Sequence, residues 1–167
     1  MNVPTQTLLG PVVTAVLFMM IFSVVVGERV GLGSGTNFIQ FLAPGLVMMT
    51  VLQNAFANTS SSITSAKVQG NIVDLLMPPL GPGEILTAMV AAAVTRGVLV
   101  AFVCIGTFWF FDAIILPPSL PTALLFLLLG AAVMAMAGLI AGVWAQKFEH
   151  LSAITNFVVQ PLAFLSG

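Results

Sequence analysis

Nine of the 167 residues are formally charged, and they stand at the ends of long apolar runs. Residues 1–27, 30–66, 97–111, 113–146 and 151–167 hold no charge at all. An ion in hydrocarbon is costly, whereas an α-helix satisfies its own backbone polar groups, so a bilayer selects this distribution. A water-soluble chain of this size could not cover its surface with so few ions, which form 5% of the sequence against about 25% in ordinary soluble domains. The pattern predicts an all-α fold, a polytopic bundle of transmembrane helices forming a single membrane domain over residues 1–167.

Runs of about 20 apolar residues suffice to cross the hydrocarbon core. They place spans at about 8–26, 38–62, 85–111, 121–145 and 151–167. Pro11 falls in the first turn of the first span, where a missing N–H costs little, and residues 1–26 lack the basic start of a cleaved signal, so this span is retained. Residues 27–37 read as a glycine-rich turn; no strand precedes their glycines and no Lys-Ser/Thr follows, so no phosphate loop is implied. The last run, 17 residues long, reaches about 25 Å, short of a core of roughly 30 Å. About five spans are expected, the fifth cut short.

Polar residues inside the spans are few and patterned. Pro44-Gly45 predicts a kink in the second span. Beyond it, Asn54, Asn58, Ser61 and Ser65 recur at intervals of four, three and four, which sets them on one helical face. Such a stripe faces other helices or a wet cavity, so interhelical hydrogen bonding and a translocation path are both open readings. Arg96, in the third span, must snorkel, pair or line a wet interior. Gly138 and Gly142 form a GxxxG in the fourth span, a helix-packing face. Trp109, Phe110 and Phe111 close the third span as an aromatic anchor, and Trp144 with Lys147 close the fourth.

Between the second and third spans, Val68, Ile72, Leu75 and Leu76 fall at i, i+4, i+7 and i+8. This predicts a short amphipathic helix over Val68–Met77, lying in the interface on the same side as His150. Pro78, Pro79, Gly81, Pro82 and Gly83 then turn the chain back. A cytoplasmic N-terminus puts Lys67, Lys147 and His150 inside, the sign that the positive-inside rule requires.

Several function classes drop out. A net charge of −1 gives neither a nucleic-acid footprint nor a polybasic lipid patch. Cys104 is alone and intraspan, a small buried hydrophobe that can form no disulfide within the chain. The one histidine, His150, lies in a predicted loop, so an intramembrane serine protease lacks its base. No metal-ligand cluster occurs, and neither a catalytic residue nor a cofactor site is expected. Glu28, Asp74, Glu84, Asp112 and Glu149 all fall at span ends, whereas ion-coupled transporters hold carboxylates mid-membrane. Any transport would draw its energy from a partner.

Phe41-Leu42-Ala43-Pro44-Gly45-Leu46, the polar half-helix after it, and Lys67-Val68-Gln69-Gly70-Asn71-Ile72-Val73-Asp74-Leu75-Leu76-Met77-Pro78-Pro79-Leu80 closely resemble the permease subunits of bacterial type-two ATP-binding-cassette exporters. Phe148-Glu149-His150 and residues 156–167 resemble the entry and body of that family's fifth span. The resemblance implies an inner-membrane half-transporter of six spans that pairs with a second permease copy and docks two ATPase subunits. ATP and Mg would bind on the ATPase, and cargo would be a drug-like amphiphile, a lipid or a lipid-linked glycan. By position, Lys67, Gly70, Asp74, Leu75, Leu76 and Pro78 would form the cytoplasmic coupling segment that touches the ATPase. Measured against that family the chain looks truncated at both ends, without a leading amphipathic helix or a sixth span. From a different class, a small non-transporting membrane scaffold is the competing reading.

Overall fold

The computed structural model describes residues 3–26, 38–73, 77, 79, 81–110 and 119–165. All regular structure among them is helical: α1 Val3–Val26, α2 Phe38–Val68, α3 Pro82–Phe110, α4 Leu120–Trp144, α5 Phe148–Ile154, a π-helical turn Thr155–Val159 and α6 Gln160–Leu165. The π turn closes with the Gln160 N–H on the Thr155 carbonyl, one residue before Pro161. The helical runs expected at 85–111 and 121–145 thus lie within three residues of α3 and α4.

Among the described residues two helices, α3 and α4, are long and apolar enough to cross a membrane, and a shorter apolar stretch occupies Gly10–Ile21. Their outward faces carry large apolar side chains, among them Phe102, Trp109, Phe110, Phe126, Ile140 and Trp144, each at least 65% exposed. In water such a surface would be a continuous sticky patch; against acyl chains it is the expected solvent contact.

α2 organises the bundle. It packs most extensively on α4, then on α3 and α1. Its 31 residues span about 46 Å, more than a hydrocarbon core of roughly 30 Å, so one end projects well past the apolar layer. Two corrections to the sequence reading arise here. The second helix does not stop near Ser62 but runs unbroken through Pro44 and on to Val68. Val68 accordingly closes α2 instead of opening an interfacial helix. Gly70, with φ 76°, then ends it in the left-handed conformation that glycine adopts freely, its N–H donating to the Lys67 carbonyl at 3.2 Å. Of the expected helix, Ile72 and Val73 are helical and the Met77 N–H reaches the Val73 carbonyl at 2.8 Å. Residues 74–76 lie outside the described residues.

The α2–α4 seam is built from small residues. Ala131, Ala135, Gly138, Gly142 and Ala145 recur every three or four positions and are all buried. A β-carbon on Gly138 would meet the Phe56 carbonyl oxygen at 2.5 Å and the Thr59 hydroxyl closer still; one on Gly142 would meet the Ser60 carbonyl oxygen at 2.9 Å. The backbones approach this closely because no side chain intervenes. The GxxxG therefore serves packing inside one chain. Thr59 donates across the seam to the Ala135 carbonyl at 2.9 Å, and Ser60 donates to the Phe56 carbonyl of its own helix at 2.8 Å.

Candidate functional site

Two polar hollows flank α2. The first, of about 250 Å³, lies between α1 and α2 and is lined by Pro11, Thr14, Thr50, Gln53, Asn54 and Ala57. Thr14 and Thr50 spend their hydroxyl protons on carbonyls of their own helices, those of Gly10 and Leu46, at 3.0 and 2.7 Å. Gln53 Nε2 and Asn54 Oδ1 are buried without a hydrogen-bond partner among the described residues. A donor and an acceptor on the same small hollow form a polar spot within an otherwise apolar helix pair.

The second hollow is larger, about 560 Å³, and more open. Asn58, Ser61, Ser62, Ser65, Gln69 and Asn71 supply its α2 side and the turn beyond, Arg96 its α3 side, and Phe148 an apolar rim. Arg96 Nη1 donates to Asn58 Oδ1 at 2.7 Å, which fixes the guanidinium against the cleft wall. Ser61 donates to the Asn58 carbonyl at 3.3 Å, and Gln69 Nε2 donates to Ser65 Oγ at 2.8 Å. Among the described residues no carboxylate pairs with Arg96, and the partner they give its guanidinium is the neutral Asn58 amide.

The expected polar stripe is thus split. Asn54 is buried beside α1, Asn58 is half-buried on Arg96, and Ser61 is exposed at the cleft. The polar side chains buried deepest are others, Thr59, Ser60 and Thr64, each 1% exposed or less. Sequence reading passed over them because they sit between the stripe positions; their one signal was that small hydroxyls match a glycine-lined partner.

Lys67 is engaged elsewhere. α2 and α4 run parallel, so their C-terminal ends lie together, and the Lys67 ammonium donates to the carbonyls of Gly142 at 3.0 Å, Ala145 at 3.2 Å and Val143. Gly142 and Val143 belong to the last turn of α4, whose carbonyls have no partner within their own helix, and Ala145 caps it. Of the other expected coupling residues, Gly70 forms the turn described above, while Asp74, Leu75, Leu76 and Pro78 lie outside the described residues.

Residues 2–167 match the family described as ABC-2 type transporter. The chain belongs to that family. It is also 38% identical over all of its 167 residues to the inner membrane transport permease YadH of Escherichia coli K12, and equally to the proteins of that name from Escherichia coli O157:H7 and Shigella flexneri. The ABC-2 chain spans 65% of the length of these relatives. No solved structure matches it. Membership accords with the all-helical bundle and its outward apolar faces, and with the family resemblance carried by the Pro44-Gly45 and 67–80 motifs.

Proposed function

We propose that this chain is the membrane-spanning permease part of an ATP-driven exporter in a bacterial inner membrane. A separate ATP-binding-cassette subunit binds ATP and Mg and hydrolyses the nucleotide, and a second permease copy completes the pathway. Cargo is a drug-like amphiphile, a lipid or a lipid-linked glycan moved out of the cytoplasm. The N-terminus lies in the cytoplasm, so the Arg96 cleft and the turn at Gly70 both face that side. The observation that carries this reading is the cleft itself: a polar, cation-bearing opening walled by two long helices, directly beside the turn expected to meet the ATPase. The scaffold reading loses support from the seam, since Gly138 and Gly142 are already used within one chain.

In this reading the segment Lys67–Pro78 passes nucleotide-driven motion to the spans. Asp74→Lys, in a transport-competent protein carrying this segment, is expected to leave membrane levels normal and to abolish substrate-stimulated ATP hydrolysis by the co-purified ATPase. Gly70→Asn should retain coupling, because asparagine tolerates the left-handed conformation, whereas Gly70→Phe strains the turn by about 1–2 kcal/mol. Undiminished stimulation in Asp74→Lys would reduce the segment to an ordinary loop.

A further inference from the structure

The Arg96 cleft has the chemistry of a receptor for one class of group. Arginine carries five N–H donors, and Asn58 takes up one of the guanidinium nitrogens. The remaining donors belong to a half-buried cation, and among the described residues it has no carboxylate partner and no acidic residue lines the cleft. An unpaired cation at a span is unfavourable. Neutral polar groups share the cleft with it, the hydroxyls of Ser62 and Ser65 and the side chain of Asn71 among them, while Ser61 gives its proton to the Asn58 carbonyl. This set is suited to an oxyanion, which a guanidinium binds with two parallel charge-assisted hydrogen bonds and which hydroxyls can complete.

The cleft also has an apolar edge. Phe148, nearly half exposed, and Ala66 line it together with the polar groups. Its walls are α2 and α3, the latter long and apolar enough to cross the membrane, so a molecule with a charged end and an apolar body can seat the one at Arg96 and leave the other along the helices.

We propose that this cleft binds the phosphate-bearing headgroup of an anionic amphiphile, with Arg96 as the charge that selects it. The proposal deepens the transport reading, which supplies its purpose, but binding itself is read without any ATPase. Its failure would leave the Asp74→Lys coupling test standing, and failure of that test would leave this one readable.

The experiment compares lipids retained by the delipidated, purified protein in native mass spectrometry. Phosphatidylglycerol, phosphatidylcholine and inorganic phosphate serve as the three probes. The wild type is expected to retain phosphatidylglycerol about tenfold more than phosphatidylcholine, the scale of a single charge-assisted hydrogen bond. Arg96→Gln should erase that preference and Arg96→Lys should keep part of it. Should Arg96→Gln fold poorly, Ser62→Glu offers an independent route: it sets a carboxylate at an exposed position of the cleft, leaves the packed seam untouched, and should abolish the preference likewise. Equal retention of the two lipids by the wild type, or an undiminished preference in both Arg96→Gln and Ser62→Glu, would overturn the proposal. Inorganic phosphate displacing phosphatidylglycerol at equal concentration would overturn the assignment to an amphiphile.

Discussion

Replacing Gly138 with leucine is expected to lower the melting temperature of the extracted protein markedly, where Gly106→Ala leaves it unchanged. The two glycines lie in neighbouring spans and differ only in what a side chain would meet. At Gly106 nothing lies within 4 Å of a new β-carbon. Alanine there gains up to about 1 kcal/mol of helix propensity or is neutral. At Gly138 the first carbon already falls 2.5 Å from the Phe56 carbonyl oxygen and 3.1 Å from the Phe56 α-carbon. These are backbone atoms and cannot swing aside, so α4 and α2 must separate. Separation breaks the 2.9 Å Thr59 bond to Ala135 and leaves that buried hydroxyl only the longer contacts, 3.3 and 3.2 Å, to the Ala55 and Phe56 carbonyls of its own helix. Overpacking costs about 1–3 kcal/mol at an ordinary core site, and the lost bond adds about 1 kcal/mol or more. Against a total stability of about 5–15 kcal/mol, a loss of about 2–4 kcal/mol is a large share, and it lowers the melting temperature clearly. Size-exclusion profiles of detergent extracts after graded heating would check it: a Gly138→Leu protein that elutes and melts like the wild type would mean that the seam is not the packing core.

The same seam shows what a single sequence can and cannot disclose. Charge placement located α3 and α4 to within three residues, because the bilayer penalises ions so heavily that span ends are written in the sequence. It failed at the end of α2, where a run of Asn, Thr and Ser looked like the exit from the membrane. Those residues remain helical, and hydroxyls among them return their protons to carbonyls three or four positions back, as Ser60 and Ser61 do. The glycine pair was legible as a close-packing face, but periodicity on one helix does not name the helix opposite. Thr59, Ser60 and Thr64 went unnoticed for that reason. Of the candidate cleft, Arg96 and Asn58 could each be singled out, as polar groups in apolar runs. Their pairing at 2.7 Å depends on the crossing of α2 and α3, which no local pattern encodes.

Lys67 is the case in which location and role separate, and it carries the second large prediction. By motif position it belongs to the surface expected to meet an ATPase; by geometry its ammonium caps the end of α4. Three N–H donors meet three carbonyls, those of Gly142, Val143 and Ala145, and a cation at a helix C-terminus also opposes the helix dipole. Lys67→Met keeps the aliphatic stem and removes all of this. A loss of about 1–3 kcal/mol is expected, seen as a lower melting temperature of the purified chain with no ATPase present. Lys67→Glu should be worse, since it places a negative charge against carbonyls that already lack donors. Lys67→Arg should recover part of the stability, as its charge survives while the compact three-way fit does not. The cap also bears on coupling. It ties α4 to the last turn of α2, three residues before the Gly70 turn, so a push on that turn moves two helices together. With the cap gone the two helices stay joined along the glycine seam but lose their tie at the end nearest that turn, and ATPase stimulation should fall further than membrane levels do. If Lys67 were instead a direct ATPase contact, Lys67→Met would leave the melting of the isolated chain untouched and alter only the stimulated hydrolysis.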